Sequence, residues 1–183
     1  FYARGAFMEC HCRRGSRNDL LKGIYQSCNT YFANTYKKII NKYDTPDKGV
    51  NQWNSHLKSF GLGKFMGYDL PTGRKGNIPD SKMYKKIYPN GGWRSTAIVS
   101  NAIGQGEVLM TPIQLANMMA TVANQGYYYT PHIIKRIESK KIDPKFTTKH
   151  VTTINKKYFK PMIDGLFDVY NFGTAYALKA EGI

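Results

Sequence analysis

The stretch Ala102-Ile103-Gly104-Gln105-Gly106-Glu107, continued by Thr111-Pro112-Ile113-Gln114-Leu115-Ala116-Asn117, governs how this chain is read. Thr111-Pro112 starts a helix, because a Thr hydroxyl can cap it and Pro needs no amide partner in the first turn. Ile113, Ala116, Met119, Ala120 and Ala123 follow at helical spacing and predict its packed face. Gly126 closes the helix. Just upstream, Gly104 and Gly106 permit a tight backbone turn. Gly104-Gln105-Gly106 lacks the third Gly of a dinucleotide loop and the Gly-Lys-Ser/Thr of a phosphate loop. The turn is therefore read as structural, with Gln105 bonding nearby backbone rather than acting in catalysis.

Working outward toward the start, residues 67–92 are rich in Gly, Pro and Lys and read as a long loop. Residues 95–103 read as a short strand or an extended approach to the Gly-Gln-Gly turn. Val50, Trp53, Leu57 and Phe60 form the stripe of a helix that ends at Gly61 and Gly63, and residues 44–49 read as the turn before it. Tyr31, Phe32, Tyr36, Ile39, Ile40 and Tyr43 predict a longer helix. It is separated by the cap-type residues 27–30 from a short one through Leu20, Leu21 and Ile24, which Asn18-Asp19 can cap. Toward the end, residues 127–137 carry strand-type aromatic and β-branched residues, and residues 147–153 do so weakly. Residues 156–170 read as a last helix whose firm part follows Pro161.

Three separated segments carry a resemblance: Ser27-Cys28-Asn29-Thr30-Tyr31-Phe32, the Gly-Gln-Gly and Thr-Pro block quoted first, and Gly173-Thr174-Ala175. Together they resemble class B penicillin-binding proteins, most closely the elongation-type penicillin-binding protein 2 group, from about Cys10 to the last residue. The family's three motifs are Ser-x-x-Lys, Ser-x-Asn and Lys-Thr-Gly. This chain holds the second only. Ser55-His56-Leu57-Lys58 has the first motif's spacing, but it follows Ser27 on an ordinary helix, whereas the family's nucleophile precedes its Ser-x-Asn. Ser55 and Lys58 are read as surface residues. The resemblance would put Lys-Thr-Gly just beyond Ile183. Both ends read as cuts, so residues 1–183 are expected to form a single partial transpeptidase domain, inactive alone.

The resemblance implies an α+β fold, the serine β-lactamase-like transpeptidase fold, with this piece mostly its helical lobe and few of its strands. Apolar surface built for the rest of the sheet would then be exposed. It implies acyl transfer through a serine acyl-enzyme, which cross-links peptidoglycan stem peptides in cell-wall synthesis. Ser27 and Asn29 are the implied catalytic and substrate-binding residues. Ser27 would pass a proton toward the leaving amine, and Asn29 would bind a substrate carbonyl and orient the catalytic Lys. A hydroxyl both accepts and donates, and a side-chain amide does likewise, so the residue types suit those roles. The rival reading is that Ser27, Asn29 and Thr30 only cap a helix. The resemblance further implies β-lactams and cell-wall elongation proteins as partners of the intact parent. It implies no cofactor, a periplasm-facing domain at the bacterial inner membrane, and a membrane anchor outside these residues.

Lys and Arg total 27 against 12 Asp and Glu, a net charge of +15. The basic residues are spread in pairs such as Lys37-Lys38, Lys85-Lys86, Lys140-Lys141 and Lys156-Lys157 rather than gathered in an arm. No zinc-finger or RRM-like signature occurs, so nucleic acid is not the expected partner. A basic nucleic-acid-binding module remains the alternative from another class, because fourteen tyrosines could stack on bases. A non-enzymatic β-lactam sensor on the same fold is the alternative within it. Three cysteines are too few for a disulfide framework. Cys10, His11 and Cys12 with Cys28 are either packed thiols or part of a zinc site completed by Glu9 or Asp19. His56, His132 and His150 stand apart, with no role.

Overall fold

The computed structural model describes Cys10 and residues 18–178, apart from 71, 136, 137 and 139. Helices dominate. In chain order they are α1 (Leu20–Tyr25), α2 (Asn29–Asn41), α3 (Pro46–Ser59), α4 (Ser81–Ile87), α5 (Pro112–Ala123), α6 (Pro144–Thr147) and α7 (Phe159–Asn171). Tight 3-10 turns occupy Val99–Ile103, Lys156–Tyr158 and Tyr176–Leu178. Among the described residues, the only sheet is the antiparallel pair β1 (Tyr127–Tyr128) and β2 (His150–Val151), with Tyr127 opposite Val151 and Tyr128 opposite His150. A helical lobe with few strands is what the resemblance implies. No helix among the described residues is long and apolar enough to cross a membrane.

The main core joins α2, α3, α4 and the Val99–Ile103 turn through Tyr36, Ile40, Val50, Tyr84, Trp93 and Ile98. Leu62, Ile78 and Val108 form a second cluster, which Trp53 and Met118 cover. At the other end α1 packs most extensively on α7, and Asp19 caps α1 by accepting from Lys22 N at 2.9 Å.

Several local expectations need correction. The helix expected after residues 44–49 begins inside them, at Pro46. Thr45 Oγ1 caps it by accepting from Lys48 N, the same Thr-Pro start recognised at Thr111-Pro112. The 67–92 loop contains α4, which Asp80 caps through Met83 N at 2.9 Å and buried Tyr84 anchors. Residues 95–103 are turns and the 3-10 helix rather than a strand, since Asn101 is tied to two tyrosines and Gly104 ends the turn in a left-handed conformation. β1 stops at Tyr128. Further on, the Asp69 carboxylate takes the backbone donors of Ile133 and Ile134 at 2.8–3.1 Å, and those bonds hold its pKa below the usual carboxylate range. α7 begins at Phe159, before Pro161, because a proline in the first turn forfeits no helical hydrogen bond.

The largest correction concerns α5. Its Thr111 cap and Gln114 capping box are as predicted, and Gly126 follows its end in a left-handed conformation. Its buried side is the polar one: Gln114, Asn117, Thr121 and Val122. Ile113, Ala116, Met119, Ala120 and Ala123 are exposed. Gln114 Nε2 donates to the carbonyls of Lys64 (2.9 Å) and Lys75 (3.0 Å), and Asn117 Nδ2 to that of Phe60 (3.0 Å). Where α5 covers them those loop carbonyls lose access to water on one side, and its polar face supplies the donors.

Candidate functional site

Ser27 lies at the connection between α1 and α2, in a left-handed backbone conformation (φ 49°). The cause is local. Ser27 N donates to Ile24 O and Cys28 N to Gly23 O, both at 2.9 Å. This is the Schellman arrangement, in which the left-handed residue just past the helix satisfies the last carbonyls. Glycine is the usual occupant of that position. A serine there costs about 1–2 kcal/mol of backbone strain.

The strain is not compensated by capping. The N-cap of α2 is Cys28, which makes no side-chain cap bond. The exposed Ser27 hydroxyl instead lies 3.2 Å from Thr174 Oγ1, 147 residues away. Asn29, half-buried, is the first residue of α2. Between Ser27 and Asn29, Cys28 turns into the protein and is 1% exposed. Its thiol is free, accepts from Asn18 Nδ2 at 3.1 Å and lies 3.5 Å from Cys10 Sγ. Cys10 thus lies near Cys28, but its own sulfur is disulfide-bonded, so the expectation that it is a packed thiol or a zinc ligand is corrected; Glu9, His11 and Cys12 lie outside the described residues. Among the described residues no three potential ligands gather.

The segment bearing Thr174 is bound to the same connection by its backbone. Thr174 N donates to Tyr25 O at 3.1 Å, and Ala175 N to Val169 O at 3.1 Å. Residue 173 passes so close to Tyr25 that a Cβ there would collide with the Tyr25 carbonyl oxygen. Gly173 is therefore required by close approach. The first and third resembling segments form one constellation.

The second segment joins through α2. Asn101 Nδ2 donates to Tyr84 OH at 2.6 Å and to Tyr36 OH at 3.3 Å, and Tyr84 OH donates to Glu107 Oε2 at 2.9 Å. Burial pushes the Tyr36 phenol up to about 12, against the opposing Asn101 hydrogen bond and with a smaller contribution from the Glu107 charge. Burial also raises Tyr84. Both phenols stay protonated at neutral pH. Asn101 Oδ1 is buried with no donor among the described residues. Gly104 and Gly106 both have left-handed φ, as a tight turn requires, and Gln105 is exposed. A groove of about 310 Å³ runs between α2 and this turn, lined by Phe32, Thr35, Tyr36, Asn101, Gly104 and Met118 among others. Tyr36 is buried as a rigid support should be; Phe32, on the groove wall, is half-buried.

Ser55 and Lys58 are exposed on α3. His56 bonds Thr153, His150 stacks on Tyr128, and His132 packs on Phe146, all contacts that support structure. Sequence reasoning missed the partnership of Ser27 with Thr174 and the Asn101 network. No spacing rule links residues 147 apart, although both segments had been singled out.

Solved penicillin-binding transpeptidases have this architecture. The chain superposes on penicillin-binding protein 2 of Pseudomonas aeruginosa, solved in complex with WCK 5153, with a TM-score of 0.74 and 26% identity, covering 90% of this chain and 36% of that one. Penicillin-binding protein 2 of Helicobacter pylori, solved in complex with MreC, gives 0.68 and 28% identity over 87% of this chain and 27% of that one. The peptidoglycan D,D-transpeptidase MrdA of Acinetobacter baumannii is 32% identical over 164 residues, 86% of this chain and 22% of that protein. The chain thus spans about a fifth of the length of that curated relative. The family model for the penicillin binding protein transpeptidase domain matches residues 5–183, and the chain belongs to that family.

Proposed function

We propose that this chain is part of a periplasm-facing peptidoglycan D,D-transpeptidase of the penicillin-binding protein 2 type, and that it contributes the Ser-x-Asn portion of the active site. The observation that carries the reading is the Ser27 hydroxyl. It sits on a strained helix connection, caps nothing, and meets the Gly-Thr-Ala segment across the fold. Strain held at a solvent-accessible hydroxyl supports a role in catalysis.

In this reading a serine outside residues 1–183 attacks the D-Ala–D-Ala carbonyl of a stem peptide, and its proton passes to a base. Ser27 Oγ takes that proton while its own goes to the departing D-Ala amine. The net transfer is one proton from nucleophile to leaving group. Asn29 holds a substrate carbonyl with its amide N–H and the base with its amide oxygen. β-Lactams would acylate the same serine. Proteins of the cell-elongation machinery are the proposed partners, and the Helicobacter pylori relative solved with MreC supports that class.

The test is D-Ala release from a stem pentapeptide by the full-length protein. Ser27→Ala and Asn29→Ala are each expected to lower kcat by about 10²–10⁴-fold, the range for losing a positioned proton-transfer group. Unchanged turnover in both variants would sink the assignment.

A further inference from the structure

We propose that Thr174 is the positioning residue for Ser27, holding its hydroxyl in the orientation that passes a proton to the leaving amine. The inference rests on the reading of Ser27 just given and adds a residue to it. Three observations converge. The Thr174 hydroxyl lies 3.2 Å from Ser27 Oγ. Thr174 itself is fixed on both sides, by its own N–H to Tyr25 O and by Tyr176 N to Gly173 O, each at 3.1 Å. Gly173 lets that backbone come against the last turn of α1, so Thr174 is delivered to the strained connection rather than merely near it.

The chemistry needs such a partner. An exposed serine hydroxyl rotates freely, and its hydrogen has three staggered directions, of which one reaches the amine. When Thr174 donates to Ser27 Oγ, it occupies one lone pair and leaves the Ser27 hydrogen to point away, toward the substrate. As that proton departs, Ser27 oxygen gains negative charge until the incoming proton arrives, and a hydrogen bond to a charged oxygen is stronger than one to a neutral hydroxyl. The bond therefore strengthens in the transition state, which is the condition for raising kcat rather than lowering KM. Thr174 neither gains nor loses a proton over the cycle.

The test uses the full-length protein with a stem-pentapeptide substrate. Thr174→Val keeps the side-chain shape and removes the hydroxyl; it is expected to lower kcat about tenfold with KM unchanged. Thr174→Ser restores the hydroxyl and should return kcat to within about twofold of the parent, on the same hydrogen-bond reasoning. In a Ser27→Ala background, Thr174→Val should cost nothing further. A loss in Thr174→Val that serine does not rescue, or one that persists without Ser27, would mean packing and overturn the inference. Full kcat in Thr174→Val would overturn it too. If Ser27→Ala alone leaves kcat intact, the reading of Ser27 fails instead, and the two failures are thereby distinguished.

Discussion

Ser27 occupies a position that helix physics assigns to glycine. Its φ of 49° and the two amide-to-carbonyl bonds around it define a helix ending that a Cβ makes costly. Protein stability and the proposed chemistry should then pull in opposite directions at this residue. Ser27→Gly and Ser27→Ala both remove the hydroxyl, and only glycine relieves the backbone. The glycine variant is expected to be more stable than the alanine variant by about 1 kcal/mol in denaturant unfolding of the full-length protein, with kcat lowered alike in both. Equal stability would show that the left-handed conformation is not what this connection adopts. The Ser-x-Asn spacing was legible in the sequence, as was the reading of Cys28 as a packed thiol. The left-handed turn was not, because nothing in Ser27-Cys28-Asn29 distinguishes a serine that caps the next helix from one that ends the last. The choice is made by the last carbonyls of α1, which take the Ser27 and Cys28 amides, and the contact with Thr174 then engages the hydroxyl.

Among the elements, α5 shows how a correct helix can be turned the wrong way. Its start, cap and end follow from Thr111, Pro112, Gln114 and Gly126. Its orientation does not follow from hydrophobic spacing. Gln114 is 1% exposed and serves three loop carbonyls, those of Lys64, Lys75 and Gly61, as well as the amide of Thr111. A single side chain thereby holds the loops between α3 and α4 to the start of α5. Gln114→Leu would take the side-chain donor from those carbonyls and leave that of buried Gly61 without one, and the expected loss is about 2–4 kcal/mol of unfolding free energy, measured by urea titration of the full-length protein. A loss below about 1 kcal/mol would mean that water reaches the carbonyls and that α5 is not anchored by its polar face. α4 went unseen because seven residues give too short a pattern against a Gly- and Lys-rich background, although Asp80 carried its cap signal. The start of α3 was legible at Thr45-Pro46 by the rule applied at Thr111-Pro112.

At the scale of the whole molecule, the three resembling segments meet through two different kinds of contact. A hydroxyl pair and close backbone approach join the α1–α2 connection to Gly173-Thr174. A buried phenol and amide network joins α2 to the Gly-Gln-Gly turn. The helical-lobe character was legible through the family resemblance, and the helical spacing of residues 31–43 and 50–60 agreed with it. Large apolar side chains remain on the outside: Phe172 is 75% and Leu178 79% exposed, and Ile113 and Met119 of α5 are exposed too. The central claim is that these residues form the Ser-x-Asn half of a penicillin-reactive site whose nucleophile lies elsewhere in the parent protein. Peptide mapping of the full-length protein after reaction with a labelled penicillin tests it most directly. The account predicts one penicilloyl group, on a serine outside residues 1–183, formed far more slowly when Ser27 is alanine. A label on Ser27, Ser55 or any other serine of this chain, or no stoichiometric label on the full-length protein at all, would contradict it.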